Sequence, residues 1–251
     1  MKRIAILMTC HNRVAMTMAR LKRLFAAAAH LERCSSKVFL VNDGCTDGTG
    51  ERARAVFPQI QVIQGDGTLY WARGMALAWK TAAAECDWDG YLWLNDDAAL
   101  NKDALQRLLA ANDGESIVVG DLANAKGEIV YGLRAGGLFT GNCVLVPRKV
   151  YERLGMICGA YSHAWADSDY AQRAKKVGVK IVSGGVVGHA EGHPNRPSLK
   201  GLPFGKRMRF LRDPKGWNLH DLWLYRRRNW GVIVAMLSCL HLAIHVIIGE
   251  R

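Results

Sequence analysis

The sequence predicts an α/β fold: a mostly parallel sheet with helices on both faces, extended by a helical C-terminal tail. Three observations predict it. Short apolar runs alternate with segments of helical spacing through the first 120 residues, the pattern of successive βαβ units. Four of those runs end in polar clusters, where open α/β sheets bind ligands. Beyond residue 190 the composition turns to Gly, Pro, Lys and Arg and then to a long apolar stretch.

The elements follow in order. RIAILMT (3–9) is a short apolar run preceded by basic residues. It is too short for the core of a secretion signal and reads as a strand. VAMTMARLKRLFAAAAHL (14–31) has helical spacing and strong helix formers. KVFLVND (37–43) is a second strand, 47–57 opens on turn residues and continues as a helix, and IQVIQ (60–64) is a third strand. A helix over 71–85 leads to the strand YLWLN (91–95), and 101–112 and 116–120 continue the alternation. Strands are expected again at 127–132 and 137–148, a helix preceded by a loop within 162–178, and a strand pair over 179–190. Residues 191–219 read as an irregular basic loop, and the tail beyond as helical.

Length and charge narrow the class. The 251 residues allow one large α/β domain with an appendage, and the net charge of +12 asks for an anionic partner. Ten Lys and Arg against two Asp lie between residues 196 and 228. Seven scattered cysteines without a CxxC pair fit a reduced cytosolic chain better than a disulfide framework or a zinc site.

The strand-end clusters carry the chemistry. They are TCHNR after the first strand, NDGCTDGT after the second, GDGTLYWARG after the third and NDD after the fourth. In a parallel sheet these loops meet at one edge. Asp96 and Asp97 suit a hard divalent cation, Mg²⁺ or Mn²⁺; the ordinary alternative is a turn and helix N-cap. Asp43 can accept hydrogen bonds from a base or ribose, or form an Asx turn. Arg73 can grip a diphosphate or sit solvated on its helix. Asp167 and Asp169 in HAWADSDY offer a general base or a cap, and His189 offers a metal ligand or a structural imidazole.

With those motifs in place, residues 3–190 resemble the family 2 glycosyltransferases of GT-A fold. NDD stands where that family has its DxD motif, WADSDY where it has its catalytic acidic motif, and GH follows in order. GDGTLYWARGMALAW is similar to bacterial rhamnosyltransferase-like members that build surface polysaccharides. The resemblance implies a nucleotide-sugar donor, dTDP- or UDP-linked, with hexosyl or deoxyhexosyl transfer and inversion to a glycan or lipid-linked acceptor. It places Thr9, His11, Asn12, Arg13, Asp43, Asp66 and Arg73 in the nucleotide site. It assigns metal binding to Asp96, Asp97 and His189, and the base to Asp167. Two positions depart from the pattern: Asn95 opens the DxD-like motif, and Ala166 precedes Asp167 where an acid is usual, which keeps Asp169 as a second base candidate.

The expected organisation is a catalytic domain over 1–190, a basic loop over 191–218 and a helical segment over 219–251. Residues 230–248 carry no Asp, Glu, Lys or Arg. Three fates are open to such a stretch: spanning a bilayer, lying in its interface or packing on a partner, or packing as core. Arg226 to Arg228 and Trp217, Trp223, Tyr225 and Trp230 suit a membrane surface, which would place the chain on the cytoplasmic face. A nucleic-acid-binding protein is the competing class, on charge and eight tryptophans, but the basic residues adjoin an apolar tail, not an aromatic-studded groove. A dinucleotide-binding enzyme is disfavoured, because the first strand–helix turn has no GxGxxG.

Overall fold

The computed structural model describes residues 1–31, 34–190, 199–216 and 218–249. The first half follows the sequence closely. Strands β1 (Lys2–Cys10), β2 (Cys34–Asp43), β3 (Gln61–Gly65) and β4 (Gly90–Leu94) are all parallel, in the spatial order β3-β2-β1-β4. Helices α1 (Val14–Ala28), α2 (Thr49–Val56) and α3 (Tyr70–Glu85) connect them. Alternate strand residues feed two cores. Ala5, Leu7, Phe39, Val41 and Trp93 pack with Met75 and Trp79 of α3, while Ile4, Ile6, Met8, Leu40 and Leu92 pack with Leu21 and Leu24 of α1. Both faces are covered, which is why these strands read as continuous apolar runs.

The second half makes the sheet mixed. Next come β5 (Ala98–Leu100), α4 (Ala104–Ala110), β6 (Ile117–Ala123), β7 (Ile129–Tyr131), β8 (Leu133–Arg134), β9 (Leu138–Phe139) and β10 (Cys143–Pro147). Then follow α5 (Arg148–Leu154), α6 (Ala166–Lys176) and β11 (Ile181–Ala190). β10 lies antiparallel between β4 and β6. No α-helix separates β6 from β10, so the chain returns without the crossover that a parallel neighbour needs. The strand pair expected over 179–190 is one strand, β11, irregular between Ser183 and Gly188, parallel to β6 and antiparallel to β5.

After residue 198 the expected irregular loop contains helix α7 (Phe204–Phe210), followed by α8 (Leu219–Trp230) and α9 (Val232–Ile248). Residues 191–198 and Trp217 lie outside the described residues, and with them part of the basic loop and one residue of the expected aromatic belt. Leu199, Leu211, Leu222, Leu242 and Val246 form a third apolar cluster that joins α8 and α9. The opposite face of α9 is open: Ile233, Met236, Leu237, Leu240, Ile244 and Ile248 are all exposed. No described helix is long and apolar enough to cross a membrane.

Candidate active site

The carboxyl ends of β1 to β4 converge as the strand pattern requires. Among the described residues, three non-glycine residues have positive φ, namely Asn12 (50°), Tyr70 (54°) and Trp165 (70°). One follows β1, one opens α3 and one opens α6. Backbone strain of this kind concentrates at functional sites, where surrounding contacts hold it.

The expected nucleotide-site residues divide into those facing out and those spent on structure. His11, Asn12 and Arg13 are exposed. His11 Nδ1 lies 2.5 Å from the Asp43 carbonyl, and Asn12 Oδ1 accepts from Thr46 N at 2.8 Å. Thr9 is half-buried under α3, where a Cβ on Gly74 would stand 2.5 Å from its Oγ1; only glycine allows helix and strand to approach so closely. Asp43, expected to touch base or ribose, is 3 % exposed. Its carboxylate accepts from Gly67 N (2.9 Å), Leu69 N (3.3 Å) and Tyr70 N (3.0 Å), so its task in this structure is to shape the loop before α3. Asp66 is exposed and accepts from Thr68 N and Oγ1, both at 2.8 Å. Half-buried Arg73 reaches the Thr68 carbonyl at 3.5 Å.

The acidic pair after β4 is no helix cap. The N-cap of α4 is Asp103, and β5 intervenes. Asp96 is 7 % exposed, and burial raises its pKa to about 6 despite the opposing charge of Arg13. Arg13 Nη1 lies 3.1 Å from Asp96 Oδ1. Burial also raises Asp97, against the pull of Arg13 and a hydrogen bond from Asn142. Asp96 Oδ2 and Asp97 Oδ1 are buried without a hydrogen-bond partner. Two such acceptors side by side are costly and fit an open divalent site, in which one or two carboxylates hold an ion that phosphate oxygens and water complete. The fuller ligand set is not gathered. Among the described residues no three His, Cys, Asp or Glu side chains converge on a metal position. His189 is exposed on β11, registered against Ala99 and Ala123, and does not close a cage with Asp96 and Asp97.

Asp167 lies in the first turn of α6, where the helix N-terminus favours negative charge. It is half-buried, accepts from Gly141 N at 3.1 Å and from Ser168 N at 2.7 Å, and burial raises its pKa. Asp169, the second base candidate, is fully buried. It is held by Arg173 at 3.2 Å and Arg228 at 3.6 Å, which leaves Asp167 as the accessible acid.

Sequence reasoning missed two parts of the site. The turn Gly141–Asn142 joins its two halves: Gly141 N donates to Asp167 at 3.1 Å, and the Asn142 carbonyl accepts from Asn95 N at 2.9 Å. A Cβ on Gly141 would stand 2.4 Å from the Trp71 ring, whose Nε1 donates to Asn95 Oδ1 at 2.7 Å. The second part is Arg20, 4 % exposed on α1, whose charge favours ionisation of both Asp96 and Asp97. A signal for it existed: position 20 falls on the stripe of Thr17, Leu21 and Leu24, all buried.

Comparison with known proteins adds the family. The family described as Glycosyl transferase family 2 matches residues 5–162, more than half of the chain. Among solved structures, the chain is similar to the mannosyltransferase PcManGT from Pyrobaculum calidifontis in complex with GDP-Man and Mn²⁺ (TM-score 0.60, 16 % identity, 97 % of this chain and 69 % of that one). It is also similar to S. aureus TarS, at TM-score 0.58 and 15 % identity over 77 % of this chain and 37 % of that one. Residues 1–349 of TarS give TM-score 0.59 and 13 % identity over 98 % and 81 % of the two chains. At these identities the likeness is one of fold. No curated protein matches by sequence.

Proposed function

The chain belongs to glycosyl transferase family 2, and from that premise we propose an inverting transferase that moves a hexosyl or deoxyhexosyl group from a dTDP- or UDP-sugar to a glycan or lipid-linked acceptor in cell-surface polysaccharide synthesis. Glycosyl transfer from a nucleotide sugar follows from the family; inversion, donor, acceptor and pathway are our reading. One observation carries it. Adjacent residues of a single turn, Gly141 and Asn142, tie Asp167 through the Gly141 N–H to the strand-end loop of Asp96 and Asp97 through the Asn142 carbonyl, which accepts from Asn95 N.

Asp97, with Asp96, would hold Mg²⁺ or Mn²⁺ against the donor diphosphate. When bound, such an ion neutralises the charge that develops on the leaving diphosphate. Arg13 and Arg73 are placed to add cationic contacts to the phosphates. Asp167 adjoins the Gly141–Asn142 turn from the other side. Each of its oxygens accepts one backbone N–H, which leaves lone pairs for an acceptor hydroxyl. Its raised pKa makes it a stronger base than an ordinary aspartate. A base on one side and the leaving group on the other give a single displacement with inversion. The test is turnover of a panel of dTDP- and UDP-sugars with Mn²⁺, Mg²⁺ or chelator, reading the anomeric configuration of the product by NMR. Inversion with metal dependence is expected; retention or metal-independent turnover would overturn the reading.

We further propose that α9 attaches the enzyme to an anionic bilayer on the cytoplasmic face of the membrane. Two features support an interfacial helix: the apolar residues of its outer face and the exposed cations Lys206, Arg209 and Arg227 on α7 and α8. Free thiols throughout fit the reducing compartment. The full chain should cosediment with phosphatidylglycerol vesicles and not with phosphatidylcholine. Leu237→Asp with Leu240→Asp should abolish this; equal sedimentation of that variant would sink the anchor.

A further inference from the structure

Helix α8 begins more than fifty residues beyond the stretch that the family matches, yet one of its faces grips the segment around Asp167 at three points. Before Asp167, the fully buried Asp221 accepts from Ser162 N (3.1 Å), Ser162 Oγ (2.7 Å) and His163 N (3.1 Å). Ser162 in turn accepts, through its carbonyl, the N–H of Ala72 at the start of α3. Beside Asp167, the ring of Tyr225 stacks on Trp165 at 4.8 Å, the residue held at φ 70° immediately ahead of α6. After Asp167, Arg228 and Asn229 reach Asp169 at 3.6 and 3.4 Å. Positions 221, 225, 228 and 229 are spaced as one helix face.

We propose that α8 is a positioning element of the transfer reaction, with Asp221 as the positioning residue that fixes the 162–169 segment and so the direction of Asp167. The proposal rests on the reading of Asp167 as the base. A carboxylate suits this task. It offers only acceptors to a cluster of two N–H groups and a hydroxyl, and it does so where water does not compete. An amide at 221 presents a donor to those donors and cannot hold the segment in the same place. A displacement of about 1 Å in a reacting group can cost on the order of 100-fold in rate.

The test measures turnover and donor affinity separately. Asp221→Asn should lower kcat by ~10–100-fold while leaving the KM for donor and the Mn²⁺-dependent affinity for nucleoside diphosphate unchanged. Arg228→Gln, on a partly exposed side chain, keeps the fold and should show the same split at smaller size. Leu105→Ala, in the core on the far face of the sheet, serves as a control for stability; at a matched loss of Tm it should retain kcat. The decisive comparison is the double variant. Because Asp221 acts through Asp167, Asp167→Asn with Asp221→Asn should be no slower than Asp167→Asn alone. Additive losses, a kcat loss in Leu105→Ala as large as in Asp221→Asn, or weakened donor binding in Asp221→Asn would each overturn the proposal. Full activity of Asp167→Asn would remove the base itself. Full activity of Asp221→Asn beside an inactive Asp167→Asn would remove only the positioning role.

Discussion

Two acidic pairs adjoin the Gly141–Asn142 turn, and their counter-charges set them apart. Asp96–Asp97 and Asp167–Asp169 each contain one aspartate paired to arginine. Asp96 meets Arg13, whose side chain is 44 % exposed. Asp169 meets Arg173 and Arg228. Arg173 is itself fixed by the carbonyls of Leu154 (2.7 Å) and Met156 (2.9 Å). The first pairing joins a buried carboxylate to an arginine open to solvent, which an incoming cation and phosphate can exchange. The second is woven into the backbone and serves the fold. The two acids of the second pair therefore have opposite duties, while both acids of the first stay open to ligand, and the anchoring of the counter-charge makes the difference.

The largest effect that breaks this comparison is expected at Asp167. Asp167→Asn should lower kcat by ~10²–10⁴-fold with donor binding near normal, because the base meets the acceptor and not the diphosphate. Asp169→Asn should act mainly on stability, at about 1.5–3 kcal/mol for a charged hydrogen-bonded group, read as a lower Tm, with a milder loss of kcat. If the two kinetic losses are reversed, the base is Asp169.

The contrast was half legible in the sequence. β1 to β4 were readable because strands buried on both faces leave uninterrupted apolar runs, and their ends located Arg13, Asp96 and Asp97. Direction was not readable. CVLVP looks the same parallel or antiparallel, and only the missing helical crossover makes β10 run against β4. The cap alternatives also needed coordinates, since only the structure places Asp103, not Asp97, at the start of α4. Asp43 was found as a strand-end acid, but its partners at 67, 69 and 70 depend on how the next loop folds back. Asp221 was hidden by a local role, for it sits three residues after the N-cap Asn218 and donates its N–H to that side chain. That spacing reads as a helix start and conceals the contact with Ser162.

The next effects sharpen the comparison at Asp97 and Asp96. Asp97→Ala should cut the metal-dependent part of donor affinity by at least ~10–100-fold, the range seen when metal-site partners are lost; titration calorimetry with and without Mn²⁺ would show it, and unchanged affinity would refute the assignment. Asp96 also predicts a pH signature. Its folded pKa of about 6 lies above the ordinary aspartate value of 3.8, so the folded state binds more protons between those values. Its contribution to stability therefore falls as pH rises through that window, and the penalty is complete above about pH 6. Asp96→Asn removes the penalty. It should raise stability at pH 7.5 by up to about 3 kcal/mol, change little near pH 4, and weaken metal binding, a trade of stability for function. A lower Tm at pH 7.5 would mean that the bond to Arg13 outweighs burial.

The smallest effect is expected at Asp66, the acid of the nucleotide set with the least buried setting. Hydrogen bonds from Thr68 hold its pKa below the ordinary value, and its Oδ1 takes both the N–H and the hydroxyl of that residue. An Asn side chain offers the same acceptor oxygen, so Asp66→Asn preserves the turn and removes only a charge. That charge faces solvent near Arg73, where water and salt screen it. If Asp66 only shapes the loop before α3, nucleoside diphosphate affinity should stay within about a factor of five, and Tm should hold. A loss beyond tenfold at unchanged Tm would show that this carboxylate touches the donor, which would place it with Asp97 among the acids that meet ligand and not with Asp43 and Asp169 among those that hold the fold.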